Sequence, residues 1–203
     1  MTGRLIRGKT GMFETICADA HWCPRGVLEA TLELGVEIAR EGREGRRIGT
    51  LFTLGRAEAV LRCSRPLILD PIALHPREAR GIADPNLRGT LKELAQLDGA
   101  FVLDEPGIVV AACRYLDISS AEVNVTFGSG SRHLAAASIT KATGCIAIVV
   151  SESAVVRIFH EGQLNAEILP ELWLMSRHSL HLRGRLQQDR RDDLAIVTST
   201  DPV

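Results

Sequence analysis

The chain has 203 residues, 45% of them hydrophobic and 24% charged, the balance of an ordinary soluble globular protein built as one large domain or one domain with extensions. A net charge of −1 and a pI of about 6.6 give no general attraction to nucleic acid or anionic membrane, which disfavours a dedicated DNA binder. The five cysteines, Cys17, Cys23, Cys63, Cys113 and Cys145, are odd in number and scattered, the pattern of reduced intracellular thiols. Cys17, His21 and Cys23 lie close enough to be weighed as a metal site, but no Cys-x-x-Cys partner follows, and buried thiols are the other reading. Arg4, Arg7 and Lys9 precede no apolar core, so no signal peptide is expected. The most apolar run, Cys145 to Val150, is far short of a membrane span, and a cytoplasmic protein is expected.

Residues 1 to 24 show no clear period. Val27, Ala30, Leu34 and Ile38 recur at helical spacing, and that helix should stop near Glu41-Gly42, before the charged turn Arg43 to Arg47. Ile48 to Leu54 alternates like a strand; a short helix over Ala57 to Leu61 and a strand over Pro66 to Leu69 follow. Asp70 to Ile82 reads as loop. Asp84-Pro85 is a helix start, with Asp as N-cap and Pro in the first turn, and Leu87, Leu91, Leu94 and Ala95 supply the core stripe. Asp98-Gly99 ends that helix. A strand over Ala100 to Leu103, a turn at Asp104 to Gly107 and a return strand over Ile108 to Ala112 come next.

After an irregular stretch at 117 to 127, the glycine–serine loop from Gly128 enters a helix that Gly144 can terminate. Cys145 to Val150 is apolar on both faces, so it should be an interior strand covered on both sides. Val155 to Phe159 is a further strand in a hairpin closed by Gly162, and a helical turn or two is expected around Pro170 to Met175. The arginine-containing tail from Ser176 reads mainly as a solvated segment with one last strand at Leu194 to Val197; without stacking aromatics, nucleic-acid binding by it is not expected. Strands and helices thus interleave, which predicts a single α/β domain: a mixed, twisted β-sheet with helices on both faces. Residues 1–40 are expected to form an N-terminal extension with one helix, 41–175 the main domain, and 176–203 a C-terminal tail.

Four polar groups fall at the ends of predicted elements, where ligands usually sit. They are Asp98, the loop Gly130-Ser131-Arg132-His133, Ser151-Glu152, and the charged turn at 43 to 47. Glycines allow close backbone approach to a ligand, and a helix N-terminus favours an anion. Acidic residues beside an Arg–His pair suit phosphoryl chemistry, which rests on positioning, charge neutralisation and a divalent cation. Each group also has a structural reading: Asp-Gly as a turn, His133 as a structural histidine, Ser151-Glu152 as a hairpin loop. The glycine loop lacks the Gly-Lys-Ser/Thr ending of a Walker A motif and does not match the dinucleotide fingerprint. From the residues alone, the site is a possible nucleotide or phosphate site.

Taken together, Asp98-Gly99-Ala100, then Gly130-Ser131-Arg132-His133-Leu134-Ala135-Ala136, then Val149-Val150-Ser151-Glu152 resemble the diadenylate cyclase domain of the DNA-integrity-scanning N-terminal type. That family makes cyclic di-AMP from two ATP molecules, and the likeness covers roughly residues 40 to 165. It implies Asp98 as metal ligand and activator of the ribose 3′-hydroxyl, with Gly99 and Ala100 approaching the nucleotide and Leu116 near the adenine. Ser131, Arg132 and His133 would grip the triphosphate, assisted by the backbone of Leu134 and Ala135 after Gly130. Ser151 and Glu152 would complete the phosphate and metal end, Glu152 joining Asp98 on a divalent cation, Mg²⁺ or Mn²⁺. Asp98, Arg132 and His133 are the expected catalytic residues. The family often has a second arginine where this chain has Leu134, so the alternative is a catalytically silent sensor that binds ATP or cyclic di-AMP in the same pocket. A cyclic product of two nucleotides implies that two domains face each other, in a homodimer or a higher homo-oligomer. Neither the DNA-scanning helical extension nor the membrane anchor of other subfamilies is expected.

Overall fold

A computed structural model describes residues 22–67, 69–117, 123, 130–171, 186–191 and 194–199. Residues up to Pro170 form one compact unit, and those from Glu171 a second. The candidate zinc ligands Cys17 and His21, most of the irregular stretch at 117 to 127, and Gly128-Ser129 lie outside the described residues.

The first helix, α1 (Arg25–Glu41), buries Leu28, Leu32, Leu34, Val36 and Ile38. It ends at Gly42, whose amide bonds the Ile38 carbonyl at 3.0 Å. The charged turn beyond it is closed by reciprocal backbone bonds between Arg43 and Arg46. Strand β1 (Thr50–Leu54) is fully buried and leads into the short helix α2 (Ala57–Arg62) and a short strand β2 (Ser64–Pro66). A 3₁₀ turn at Arg77–Arg80 interrupts the predicted loop. Helix α3 (Pro85–Leu94) starts as the Asp84-Pro85 signal predicts: the Asp84 carboxylate accepts the Asn86 amide at 2.9 Å. Strands β3 (Ala100–Leu103) and β4 (Val109–Leu116) form a hairpin across the Asp104 turn, where Arg77 pairs with Asp104. Helix α4 (Ser131–Thr143) stops at Gly144, and β5 (Ile146–Val150), β6 (Val156–His160) and β7 (Gln163–Ile168) complete the unit.

The sheet runs β2-β4-β3-β1-β5-β6-β7, with β1 and β3 parallel and the other neighbours antiparallel. Helices cover both faces. On one side α1 packs over β5 and β6, with Gly35 seated against Val150, Val156 and Ile148. On the other, Ala136, Ala137 and Ile139 of α4 share a core with Leu51, Ala147, Val149 and Phe159. Both faces of β5 are thereby dry, which is why its sequence is apolar at every position. Buried in that strand's approach, the Cys145 thiol is pushed up to about 12, so it is inert packing.

Along the outer side of α1 a charge ladder joins it to α3. Arg88 reaches Glu33 at 3.4 Å and Glu37 at 2.7 Å, and Lys92 reaches Glu37 at 2.8 Å and Glu41 at 3.1 Å.

Several elements differ from expectation, each for a physical reason. The return strand continues to Leu116 rather than ending at Ala112, because two register shifts in β4 break the alternation without ending the pairing. Strand β2 lies at Ser64–Pro66 instead of Pro66 to Leu69, since its partners are the extra residues Arg114 to Leu116. Strand β7 carries no apolar alternation because it is an exposed edge, and only its pairing with β6 reveals it. Pro170 and Glu171 begin a helical turn; the rest of that predicted segment lies outside the described residues. In the second unit, β8 (Leu186–Arg191) pairs antiparallel with β9 (Leu194–Ser199), a hairpin where the tail reads as one strand.

Candidate nucleotide site

A cavity of about 170 Å³ opens between the ends of β3, β4 and the start of α4. Its lining is Leu51, Leu67, Asp98, Gly99, Ala100, Arg114, Tyr115, Leu116, Ser131, Arg132 and Ala135.

Local backbone chemistry builds the first wall. Gly99 has φ of 102°, and a Cβ there would stand 2.7 Å from the Cys113 carbonyl carbon. Only glycine fits both that conformation and that approach. Opposite it, three steps of β4 (Ala111 to Arg114) match two of β3 (Ala100 to Val102), and Cys113 takes φ of 51°. Such a bulge re-aims the residues that follow it, and here Arg114, Tyr115 and Leu116 follow it into the cavity wall. Burial, with the Asp70 and Asp98 charges behind it, pushes the Cys113 thiol up, so it takes no part as a thiolate. Arg114 is tied down by three donations, to the Ser64 hydroxyl (3.2 Å), the Ser64 carbonyl (2.8 Å) and the Leu61 carbonyl (3.4 Å). Tyr115 lies under the Arg65 guanidinium, which stands 4.5 Å from the ring centre.

The second wall is the first turn of α4. Among the described residues no side chain caps it, and its His133 and Leu134 amides both bond the Gly130 carbonyl, at 3.0 and 3.4 Å. Small residues from Ala135 onward let the helix lie close to the sheet. Arg132 leaves the helix toward solvent and lies between two carboxylates, 3.7 Å from Asp98 Oδ1 and 3.3 Å from Glu152 Oε1. Those carboxylates are 81% and 68% exposed, open to a further partner. Asp98 also accepts the amide of Gly99 at 2.9 Å.

Of the residues singled out in the sequence, Asp98, Gly99, Ala100, Leu116, Ser131, Arg132 and Ala135 line one cavity, and Glu152 is joined to it through Arg132. Ser151 shapes the turn after β5, its hydroxyl 2.9 Å from that of Ser153 and its backbone bonded to Val155 and Ala154. Leu134 is half-buried on α4, outside the cavity lining. His133 faces away from the cavity. It is buried, 8% exposed, with its ring edge on Phe159 and Nε2 2.8 Å from Arg157 Nη1. Arg157 always donates, so Nε2 accepts and the ring is neutral. Burial first, then the Arg157 charge, hold the His133 pKa below the ordinary range. Arg157 in turn pairs with Glu167 of β7.

Leu51, Leu67, Arg114 and Tyr115 line the cavity without a sequence signal of their own. Three of them sit on or beside elements whose register the bulge sets, and periodicity cannot locate a bulge.

The family model described as DisA bacterial checkpoint controller nucleotide-binding, the DAC domain, matches residues 37–164, a span that contains every residue named above as lining the cavity. The chain belongs to that family. Within it, the chain is 46% identical over 144 residues to a protein of Methanocaldococcus jannaschii named diadenylate cyclase, covering 70% of this chain and 45% of that protein. It is 39% identical over 149 residues to a diadenylate cyclase of Haloferax volcanii, covering 73% of this chain and 54% of that one. The chain thus spans about half the length of these DAC-family relatives. A solved structure of DacA from Staphylococcus aureus, in a double-cysteine variant, is 20% identical with a TM-score of 0.45, over 75% of this chain and 95% of that chain. No helix among the described residues is long and apolar enough to cross a membrane.

Proposed function

We propose that the protein is a diadenylate cyclase, condensing two ATP molecules into cyclic di-AMP and two pyrophosphates. The observation that carries this reading is that the Asp98-Gly99-Ala100 and Ser131-Arg132 segments, well separated in the chain, line one cavity, with Arg132 3.7 Å from Asp98. The family and the names of its relatives in two organisms support it.

In this reading the ribose lies near Asp98, whose exposed carboxylate orients the 3′-hydroxyl and takes up its proton. Arg132 turns to the triphosphate, and its charge offsets the negative charge that builds on the α-phosphate. Leu116 and its neighbours on β4 hold the base. Attack of each 3′-hydroxyl on the other nucleotide's α-phosphate forms one P–O bond and breaks the bond to the leaving pyrophosphate. Each copy holds one ATP, so two copies face each other in a homodimer.

Among the described residues no group of three His, Cys, Asp or Glu gathers to hold a metal. The donor set is instead two exposed carboxylates, Asp98 and Glu152, flanking one arginine. That suits a hard cation such as Mg²⁺ or Mn²⁺ held by one or two carboxylates together with substrate phosphates. When bound, such an ion neutralises phosphate charge.

Incubation with ATP and Mg²⁺ or Mn²⁺, followed by chromatography, tests the reading. Cyclic di-AMP is expected from the wild type, and a loss of about 10²–10⁴-fold from Asp98→Ala. A folded wild-type protein that makes no cyclic di-AMP with either metal would refute it.

A further inference from the structure

On the α4 side of the sheet, the row of side chains that includes Leu51 runs outward to position 49, and there the sequence supplies no side chain. Thr50 pairs with Val150, so Gly49 lies where β5 gives way to Ser151 and Glu152. A Cβ built on Gly49 would stand 2.7 Å from Arg132 Nη1, 3.2 Å from Arg132 Cζ and 3.3 Å from Glu152 Cγ. The Arg132 guanidinium therefore rests over bare backbone. From that seat it reaches Glu152 at 3.3 Å and Asp98 at 3.7 Å.

Backbone conformation does not call for glycine here. Gly49 is not among the glycines with positive φ, and it leads directly into an extended strand. Nor does packing of the core, since the atoms a Cβ would meet belong to two half-exposed or exposed side chains at the site.

We propose that Gly49 is a positioning residue, whose missing Cβ fixes where Arg132 stands between Asp98 and Glu152. The crowded atom is the far end of a flexible side chain, so an added methyl displaces the guanidinium and leaves the fold in place. A displacement of about an ångström in a group that stabilises a transition state costs up to about a hundredfold in rate. The consequence for turnover rests on the cyclase reading; the consequence for Arg132 itself does not.

The test is Gly49→Ala in the full chain, alone and combined with Arg132→Ala. Crystal structures of the wild type and Gly49→Ala are expected to differ in one contact, the Arg132–Glu152 pair being broken in the variant. Turnover of ATP should fall on the order of tenfold to a hundredfold, while Tm moves by less than about 2 °C. In the Arg132→Ala background, Gly49→Ala should change ATP affinity, read by calorimetry, by less than about twofold, because the coupled group is gone. An Arg132–Glu152 pair retained in the Gly49→Ala crystal overturns the proposal, whether or not the protein makes cyclic di-AMP. So does a full loss from Gly49→Ala that adds to that of Arg132→Ala. A wild type without turnover refutes the cyclase reading and leaves the crystallographic comparison to decide this one.

Discussion

Along α1 and α3, Glu33, Glu37 and Glu41 meet Arg88 and Lys92 at 2.7 to 3.4 Å, with the two cations only 20% and 28% exposed. At the cavity, Arg132 meets Asp98 and Glu152 at 3.7 and 3.3 Å, and the two carboxylates are 81% and 68% exposed. In the ladder the cations are shared, short-range and shielded, so the charges hold two helices together. At the cavity the carboxylates are open to water, where an ion pair contributes little to stability. An arginine in that setting can exchange its carboxylates for phosphate at small cost, and the carboxylates can exchange it for a cation. The difference separates charge used for packing from charge kept available for a ligand.

The sharpest way to break that distinction is Arg132→Ala. It should lower cyclic di-AMP formation about 10²–10³-fold, with a melting curve that overlays the wild type. A clear drop in Tm would mean that Arg132 is a structural tie after all. Arg88→Met is the mirror experiment. Removing it leaves Glu33 and Glu37 without that partner across α1 and α3, and urea titration should register a loss of about 1 kcal/mol, with turnover per folded molecule unchanged.

A smaller effect comes from His133. Its folded pKa lies below the ordinary 6.5, through burial and then Arg157, so the unfolded chain protonates first. Stability should decline as pH falls below 6.5 toward the folded value, the loss being complete only beneath it. Urea midpoints between about pH 5 and 8 should show this acid limb in the wild type and not in His133→Gln, which keeps an acceptor for Arg157. An unaltered limb in the variant would assign it elsewhere.

The smallest effect belongs to the ladder's own titration. Burial would raise Glu41 and lower Lys92, but their mutual hydrogen bond and their other partners reverse both. Glu41, lowered from 4.5, stabilises above that pH and loses its contribution as pH falls through its folded value. Lys92, raised from 10.5, stabilises below that pH and loses its contribution as pH rises through its folded value. Lys92→Met should flatten both limbs in a plot of unfolding midpoint against pH; unchanged limbs would remove the ladder from the account.

What could be read from the residues was what depends on neighbours in sequence. Asp84-Pro85 opens α3 through an Asx hydrogen bond two residues away, Gly144 closes α4 in the left-handed region, and the unbroken apolar run of β5 requires cover on both faces. Asp98, Ser131 and Arg132 stand out because short motifs carry them, whereas Leu116 entered only through the family resemblance. Arg114 and Tyr115 were not, since their place follows from a bulge in β4 that depends on register with β3. The turning of His133 toward Arg157 depends on which face of α4 meets β6. The part played by Gly49 is the space it leaves for a side chain far along the chain, which depends on the fold and not on its neighbours in sequence.

The two rims of the sheet complete the picture. One is β2, three residues long and ending in Pro66, which has no amide hydrogen to offer; the other is β7, with Gln163, Leu164, Asn165 and Glu167 exposed. Short length, a proline and a charged, polar rim all discourage a foreign strand from docking edge to edge. The two outer strands of the seven-stranded sheet thus offer a poor template for strand addition, which protects the dry interior from edge-to-edge pairing.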